Sequence, residues 1–313
     1  VRFLGAARVE VQVQNILSRP LKGRLSVSVQ DARPVDEDAE IVPQAAWKRE
    51  LPLPASAGNW APLRFEIRLK PEGGGQELSA VTALDRIVCR RLPKPPAMDG
   101  SLAGWPEACR IDLEQRFKEC EPDNELKARF PADVPWKGPE DLSASLWLGW
   151  DDATLYLAVK VRDDKHDAVM DGKSAWRGDS LQLYFDGWGD ARTRSTKGYA
   201  NDDQVFDAWA EEEALKVIRA VAPEQQLGFL KTGPVAAVKS AFKRTADGYS
   251  IYELAFPLAE IHPVELRAGA TFGFALLVND RDGDYRKRGL TLTPAGTEPF
   301  MRPDLYPAVV LVP

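Results

Sequence analysis

Apolar and polar residues alternate in short runs along most of the chain. Val9, Val11 and Val13 alternate with Glu10, Gln12 and Gln14, and Leu25, Val27 and Val29 alternate with Arg24, Ser26 and Ser28. A period of two marks a half-buried strand, and the turn residues between Ser18 and Gly23 predict that these two strands form an antiparallel hairpin. Further strands are predicted at residues 65–69, closed by Pro71 and the Gly73-Gly74-Gly75 turn, and at residues 80–91. The Pro-rich, acidic stretch between them cannot form long helices. This succession of short strands and turns is the pattern of an immunoglobulin-like sandwich. Three prolines in Leu92-Pro93-Lys94-Pro95-Pro96 then make a stiff connector, which sets a boundary between units 1–93 and 94–313 and predicts a fixed pair.

The second unit opens on an Asp99-Gly100 turn, with Trp105 placed to pin the entering chain to the body of that unit. Residues 110–139 lack a steady period and read mostly as loop. Strands at 146–150 and 155–161 flank Asp151-Asp152-Ala153-Thr154, a turn whose Asp side chains can bond backbone amides. In AWRGDSLQLYFD, Ala175 to Asp186, Leu181, Leu183 and Phe185 alternate with Gln182, Tyr184 and Asp186. That alternation puts Trp176 in the mouth of a loop beside a polar sheet face. Such a place suits a polar ligand with an apolar side, as a sugar ring is; the competing reading is that Trp176 caps the core. A polar loop at 187–201 leads to a strand at 204–210. Residues 211–222 fit either one face of a helix or a further strand. A hairpin over 237–256 turns at Asp247-Gly248, a helical turn comes after Pro257, and strands come at 271–278 and 305–312. The fold class predicted is all-β: two sandwiches, the second larger.

Composition narrows the chemistry. A chain of 313 residues favours two domains, and its net charge of -6 argues against a nucleic-acid partner. No apolar run is long enough to cross a bilayer, so membrane insertion is not expected. The opening at Val1, without Met or a signal-like segment, suggests a processed chain or a piece tethered to further domains. The three cysteines, Cys89, Cys109 and Cys120, form no C-x-x-C, and His166 and His262 are the only histidines. Haem, zinc and nucleotide cofactors are therefore not expected; a Cys109–Cys120 disulfide is the most natural pairing by sequence distance. Hard oxygen ligands abound instead. Asp163 and Asp164 with Asp167, and Asp280-Arg281-Asp282-Gly283-Asp284, offer carboxylates that suit calcium. No pair of carboxylates is marked out as an acid and a base across a cleft, so no enzyme is predicted.

Five motifs occur in order over residues 94–313: Asp99-Gly100 followed by Trp105, WDDATLYLAVKVRDD from Trp150, AWRGDSLQLYFD, DGYSIYELAFPLAEI from Asp247, and FALLVNDRDGD from Phe274. Together they resemble the family 9 carbohydrate-binding modules, and the first 93 residues resemble the fibronectin-like spacer domains of secreted bacterial glycan-processing proteins. The resemblance implies a sandwich that grips a glycan chain end between two aromatic rings, with calcium steadying its loops, in an extracellular or periplasmic protein. Trp176 matches the first ring and Phe300 the second, where the best-understood sugar binders carry Trp. Gln182 stands at an acidic position of the family, and Asp207 and Trp209 stand at its basic and amide positions. Asp179 and Thr297 complete the candidate ligand residues, and Asp163, Asp164, Asp280, Asp282 and Asp284 the candidate calcium ligands. The expected partner is a carbohydrate. The alternative is a structural or protein-interaction module with this fold and no sugar ligand.

Overall fold

The computed structural model describes residues 1–4, 8–30, 32–53, 59–113, 138–168, 172–194, 197–223, 230–282, 286–293 and 297–313. Every regular element among them is a strand or a short 3-10 segment.

The first sandwich is built from β1 (Arg2–Phe3), β2 (Arg8–Gln14), β3 (Leu21–Val29), β4 (Val35–Ile41), β5 (Ala46–Pro52), β6 (Trp60–Pro71) and β7 (Leu78–Arg91). One sheet has the order β1-β2-β5, the facing one β4-β3-β6-β7. The hairpin expected between β2 and β3 does not form. β2 pairs antiparallel with β5, Val9 opposite Leu51, while β3 pairs with β4 and β6 in the other sheet. Both strands carry alternating apolar residues, and both satisfy that pattern by facing one core from opposite sides, where Val9, Val11, Leu25, Val27 and Phe65 meet. Asn15 holds the crossing. Its buried amide donates to the Arg19 and Ile41 carbonyls at 2.9 and 2.7 Å, and its oxygen accepts from the Leu17 amide at 2.9 Å.

The second sandwich comprises β8 (Arg110–Asp112), β9 (Leu142–Trp150), β10 (Thr154–Asp163), β11 (Ser180–Asp186), β12 (Asp203–Glu211), β13 (Ala214–Val221), β14 (Gly233–Pro234), β15 (Lys239–Arg244), β16 (Tyr249–Pro257), β17 (Thr271–Arg281), β18 (Arg286–Thr291) and β19 (Ala308–Val312). One sheet runs β8-β9-β10-β16-β15, the other β14-β13-β12-β11-β17, with β18 and β19 sharing the free edge of β17. Residues 211–222 are thus strand. Leu215, Val217 and Arg219 point inward in alternation, so a buried arginine occupies a position that the apolar period would assign to a hydrophobe. The core lies between the sheets around Phe185, whose ring meets those of Phe206, Phe256, Phe272 and Phe274.

β7 belongs to both sandwiches. Its first part, Leu78 to Ile87, pairs antiparallel with β6. Its second part runs parallel to β19, Arg86–Arg90 beside Ala308–Val312, and its last two residues run parallel to β9. Val310 completes the first core while its neighbours Val309 and Leu311 point into the second. Cys89 and Cys109 are buried free thiols; Cys120, suggested as the partner of Cys109, lies outside the described residues.

Candidate functional site

Alternation along β11 sends Leu181, Leu183 and Phe185 into the core and leaves Ser180, Gln182 and Tyr184 on the opposite face. Register then assembles two rows across that face. Trp209, Ser180 and Asn279 stand side by side on β12, β11 and β17; one step along come Asp207, Gln182 and Leu277. The Gln182 amide donates to Asp207 Oδ1 at 3.0 Å, and Asn279 Nδ2 donates to Ser180 Oγ at 3.1 Å and to Gln182 Oε1 at 3.4 Å. Burial pushes the Asp207 carboxyl up to about 6, although the Gln182 hydrogen bond favours its ionised form. Trp209 is buried, and its indole N–H has no acceptor among the described residues.

Aromatic side chains bound this floor. The 3-10 turn Gly172–Arg177 carries Trp176, half-buried, with the Arg177 guanidinium 5.0 Å from its ring centre. The same turn packs on the floor at Gly172, where a Cβ would come within 3.0 Å of the Trp209 ring. Phe300 lies toward the other end and is 56% exposed. Its segment is held there by two tyrosines. Tyr306 packs on Tyr184 and donates its hydroxyl to the Pro299 carbonyl at 3.1 Å, while Tyr199 stands edge-on to Phe300 and accepts from the Met301 amide. Thr297, at the start of that segment, accepts through its carbonyl from the buried Thr293 hydroxyl.

Asp179 lies elsewhere. One of its carboxylate oxygens accepts from the Arg281 amide at 2.7 Å; the other takes the Asp167 amide and stands 3.2 Å from His166 Nδ1. It therefore ties the strand end to an acidic corner. There Asp163, Asp280 and Asp282 bring carboxylate oxygens within 4.8 Å of one another, and Asp141, Asp164 and Asp282 do the same. Asp284 lies outside the described residues. Asp141, Asp163 and Asp280 are buried. Burial pushes the Asp163 carboxyl up, but hydrogen bonds from His166 and the Lys165 amide, with the Arg244 guanidinium nearby, leave it below its ordinary value. Burial alone would lower His166, yet Asp163 and Asp179 on either side raise it to about 9. Asp179 itself is pushed up to about 6 by burial.

A second acidic group closes the polar loop after β11. Asp186 accepts from the Asp190 and Ala191 amides, and Arg194 reaches Asp203 at 2.6 Å, Asp190 at 3.4 Å and Asp202 at 3.6 Å. Burial first, and then Asp203 and Asp202, push Asp186 up to about 8; burial pushes Asp203 to about 6.

Sequence reasoning missed Asp141 and Asn279. Asp141 precedes a strand in a Pro-Glu-Asp turn that carries no ligand signature, whereas Asn279 continues the alternation of Ala275 and Leu277 and could have been placed on the floor by parity.

The sequence model of the family described as "Carbohydrate family 9 binding domain-like" matches residues 123–313. Among the solved structures similar to the chain are two of a family 9 carbohydrate-binding module from Caldicellulosiruptor kristjanssonii. The complex with cellotriose is 18% identical with a TM-score of 0.48, covering 72% of this chain and 93% of that one. The complex with glucose is 16% identical with a TM-score of 0.48, covering 72% and 95%. No curated protein sequence matches the chain.

Proposed function

The chain belongs to the carbohydrate family 9 binding domain-like family, and from that premise we propose that residues 94–313 form a non-catalytic carbohydrate-binding domain holding a sugar ring or glycan chain end over the polar floor between Trp176 and Phe300. The observation that carries this reading is the floor itself: Ser180, Gln182, Asp207 and Asn279 in adjacent register positions on one sheet face. Sugar hydroxyls both donate and accept, and these side chains supply both functions. Ring C–H groups of a pyranose favour aromatic faces, and two walls about 7–8 Å apart accommodate one ring. Phe offers a smaller face than Trp, so affinity in the micromolar to millimolar range, about 4–8 kcal/mol, is expected.

Calorimetry against a panel of neutral oligosaccharides tests this. Trp176→Ala should weaken binding at least about fivefold, since an aromatic wall is worth roughly 1 kcal/mol or more, with little change in melting temperature because the ring is only partly buried. Silence of the unaltered protein across the panel would overturn the sugar reading and favour a structural module. In its natural setting the domain, with the first sandwich as spacer, would serve a larger secreted glycan-processing protein.

We further propose calcium at the acidic corner, held by Asp163, Asp164, Asp280 and Asp282, with Asp141 joining them. Carboxylates in such proximity, those of Asp141, Asp163 and Asp280 buried, repel one another, and their all-oxygen donor set fits a hard cation. Bound there, the ion supplies positive charge that ties the ends of β10 and β17 to the turn before β9. Calcium at a hundredfold its Kd should add about 2.7 kcal/mol of stability. A melting temperature indifferent to chelator and to added calcium would remove the ion from the account.

A further inference from the structure

The floor contains a charge that nothing described in the protein neutralises. Asp207 is 3% exposed, and among the described residues its one side-chain hydrogen-bond partner is the neutral Gln182 amide. Gln182 faces it from β11 and Ile218 from β13. Next along β13, Lys216 is paired with Glu211 at 3.1 Å. Tyr199 lies close enough to feel the carboxylate, and burial first, with Asp203 and Asp207 adding to it, raises that phenol to about 12, so it stays neutral. No described cation acts on Asp207. A buried carboxylate without a counter-ion costs several kcal/mol.

We propose that this floor selects sugars bearing a protonated amine, with the Asp207 carboxylate as counter-ion, a reading that rests on the assignment of the face as a sugar site. An ammonium would satisfy the charge and add charge-assisted hydrogen bonds, whereas a hydroxyl leaves the charge in place and a uronic acid is repelled. The Asp207 carboxyl, raised to about 6, is ionised at neutral pH. A sugar amine of ordinary basicity loses its proton near pH 8, so affinity should peak near pH 7 and fall on either side.

The test is calorimetry of the full chain with the β-1,4 tetramers of glucosamine, N-acetylglucosamine and glucose, at pH 5, 7 and 9. The glucosamine tetramer should bind about tenfold or more tightly than the other two at pH 7, and lose that advantage at pH 5 and pH 9. Asp207→Asn should erase the preference for the glucosamine tetramer over the other two, whatever it does to the affinity common to all three. Equal affinity for the three tetramers, or a preference that survives Asp207→Asn, would overturn the proposal while sugar binding stands. Absence of binding by all three would overturn both. Should the variant fail to fold, the tetramer ranking and pH profile of the unaltered protein decide the matter.

Discussion

Replacing Glu253 by alanine should cost about 3–5 kcal/mol of stability and release the segment that precedes β8 from the sheet. Glu253 lies on β16 with no exposure to solvent, and three donors converge on it. The Trp105 indole donates to one oxygen at 2.8 Å; the Asp99 and Gly100 amides donate to the other at 2.9 and 2.6 Å. Removing the carboxylate leaves all three donors unmatched, two of them backbone groups that the local turn cannot satisfy. The close approach is specific to Gly100, where φ is +72° and a Cβ would come within 2.6 Å of the Lys243 side chain. Glu253→Gln should lose less, because one amide oxygen still accepts while its NH2 opposes the remaining donors. Urea denaturation followed by tryptophan fluorescence measures both. A loss below about 1 kcal/mol for the alanine variant would show that the anchor contributes little.

In chelator, stability should fall as pH rises from about 4 to about 8. Asp186 titrates near 8 in the folded protein against 3.8 for a free carboxyl, and Asp179, Asp203 and Asp207 titrate near 6. Between the two values the folded state holds a proton that the unfolded state has released, so each added pH unit weakens folding. At about 1.4 kcal/mol per unit, Asp186 alone accounts for a loss on the order of 5 kcal/mol. His166, raised to about 9, acts in the same direction: its contribution is complete below 6.5 and disappears as pH climbs through 9. Asp163 works oppositely, since its lowered value gives stability that is lost only as acid protonates it, and it shapes the acid limb. Melting temperatures recorded from pH 4.5 to 8.5 should be highest at the acid end and decline toward pH 8.5. A profile that is flat or rises toward pH 8 would contradict the burial of these acids. Added calcium should flatten the decline in so far as it arises at the acidic corner.

Period-two alternation made the strands legible, and with them the all-β class, because each strand sits half in a core. Pairing was not legible. β2 and β3 carry the same alternation whether they share a sheet or face each other, and what separates them is Asn15 bonding to Ile41, a contact with a residue well along the chain. β13 stayed ambiguous because Arg219 occupies an inward position. Its guanidinium is accommodated by the Phe206 ring, Gln204 and Glu260, none of them near in sequence. β18 went unread because Arg286-Lys287-Arg288 looks like a solvated turn. Trp176 was legible from its place at the mouth of a loop beside a polar face, whereas the roles of Gln182, Asp207 and Phe300 came through a resemblance, and register now gives Gln182 and Asp207 a physical relation. Asp179 was grouped with them through proximity to Trp176 in sequence, but the change from loop to strand at Ser180 turns it toward Asp163 and Arg281.

The strand shared by the two sandwiches determines how the protein would carry tension. Were the domain held on a glycan by one face and on a larger body by its first sandwich, as proposed, tension between the two would cross the join that β7 makes. Because Arg86–Arg90 and Ala308–Val312 run in the same direction, a load applied toward Leu78 on one strand and beyond Val312 on the other strains every bond of that ladder at once. An antiparallel hairpin pulled at its open end would instead peel one bond at a time. The join between the sandwiches is thus arranged to resist in shear, and a force large enough to separate them would draw Val310 out of the first core as it opened the second.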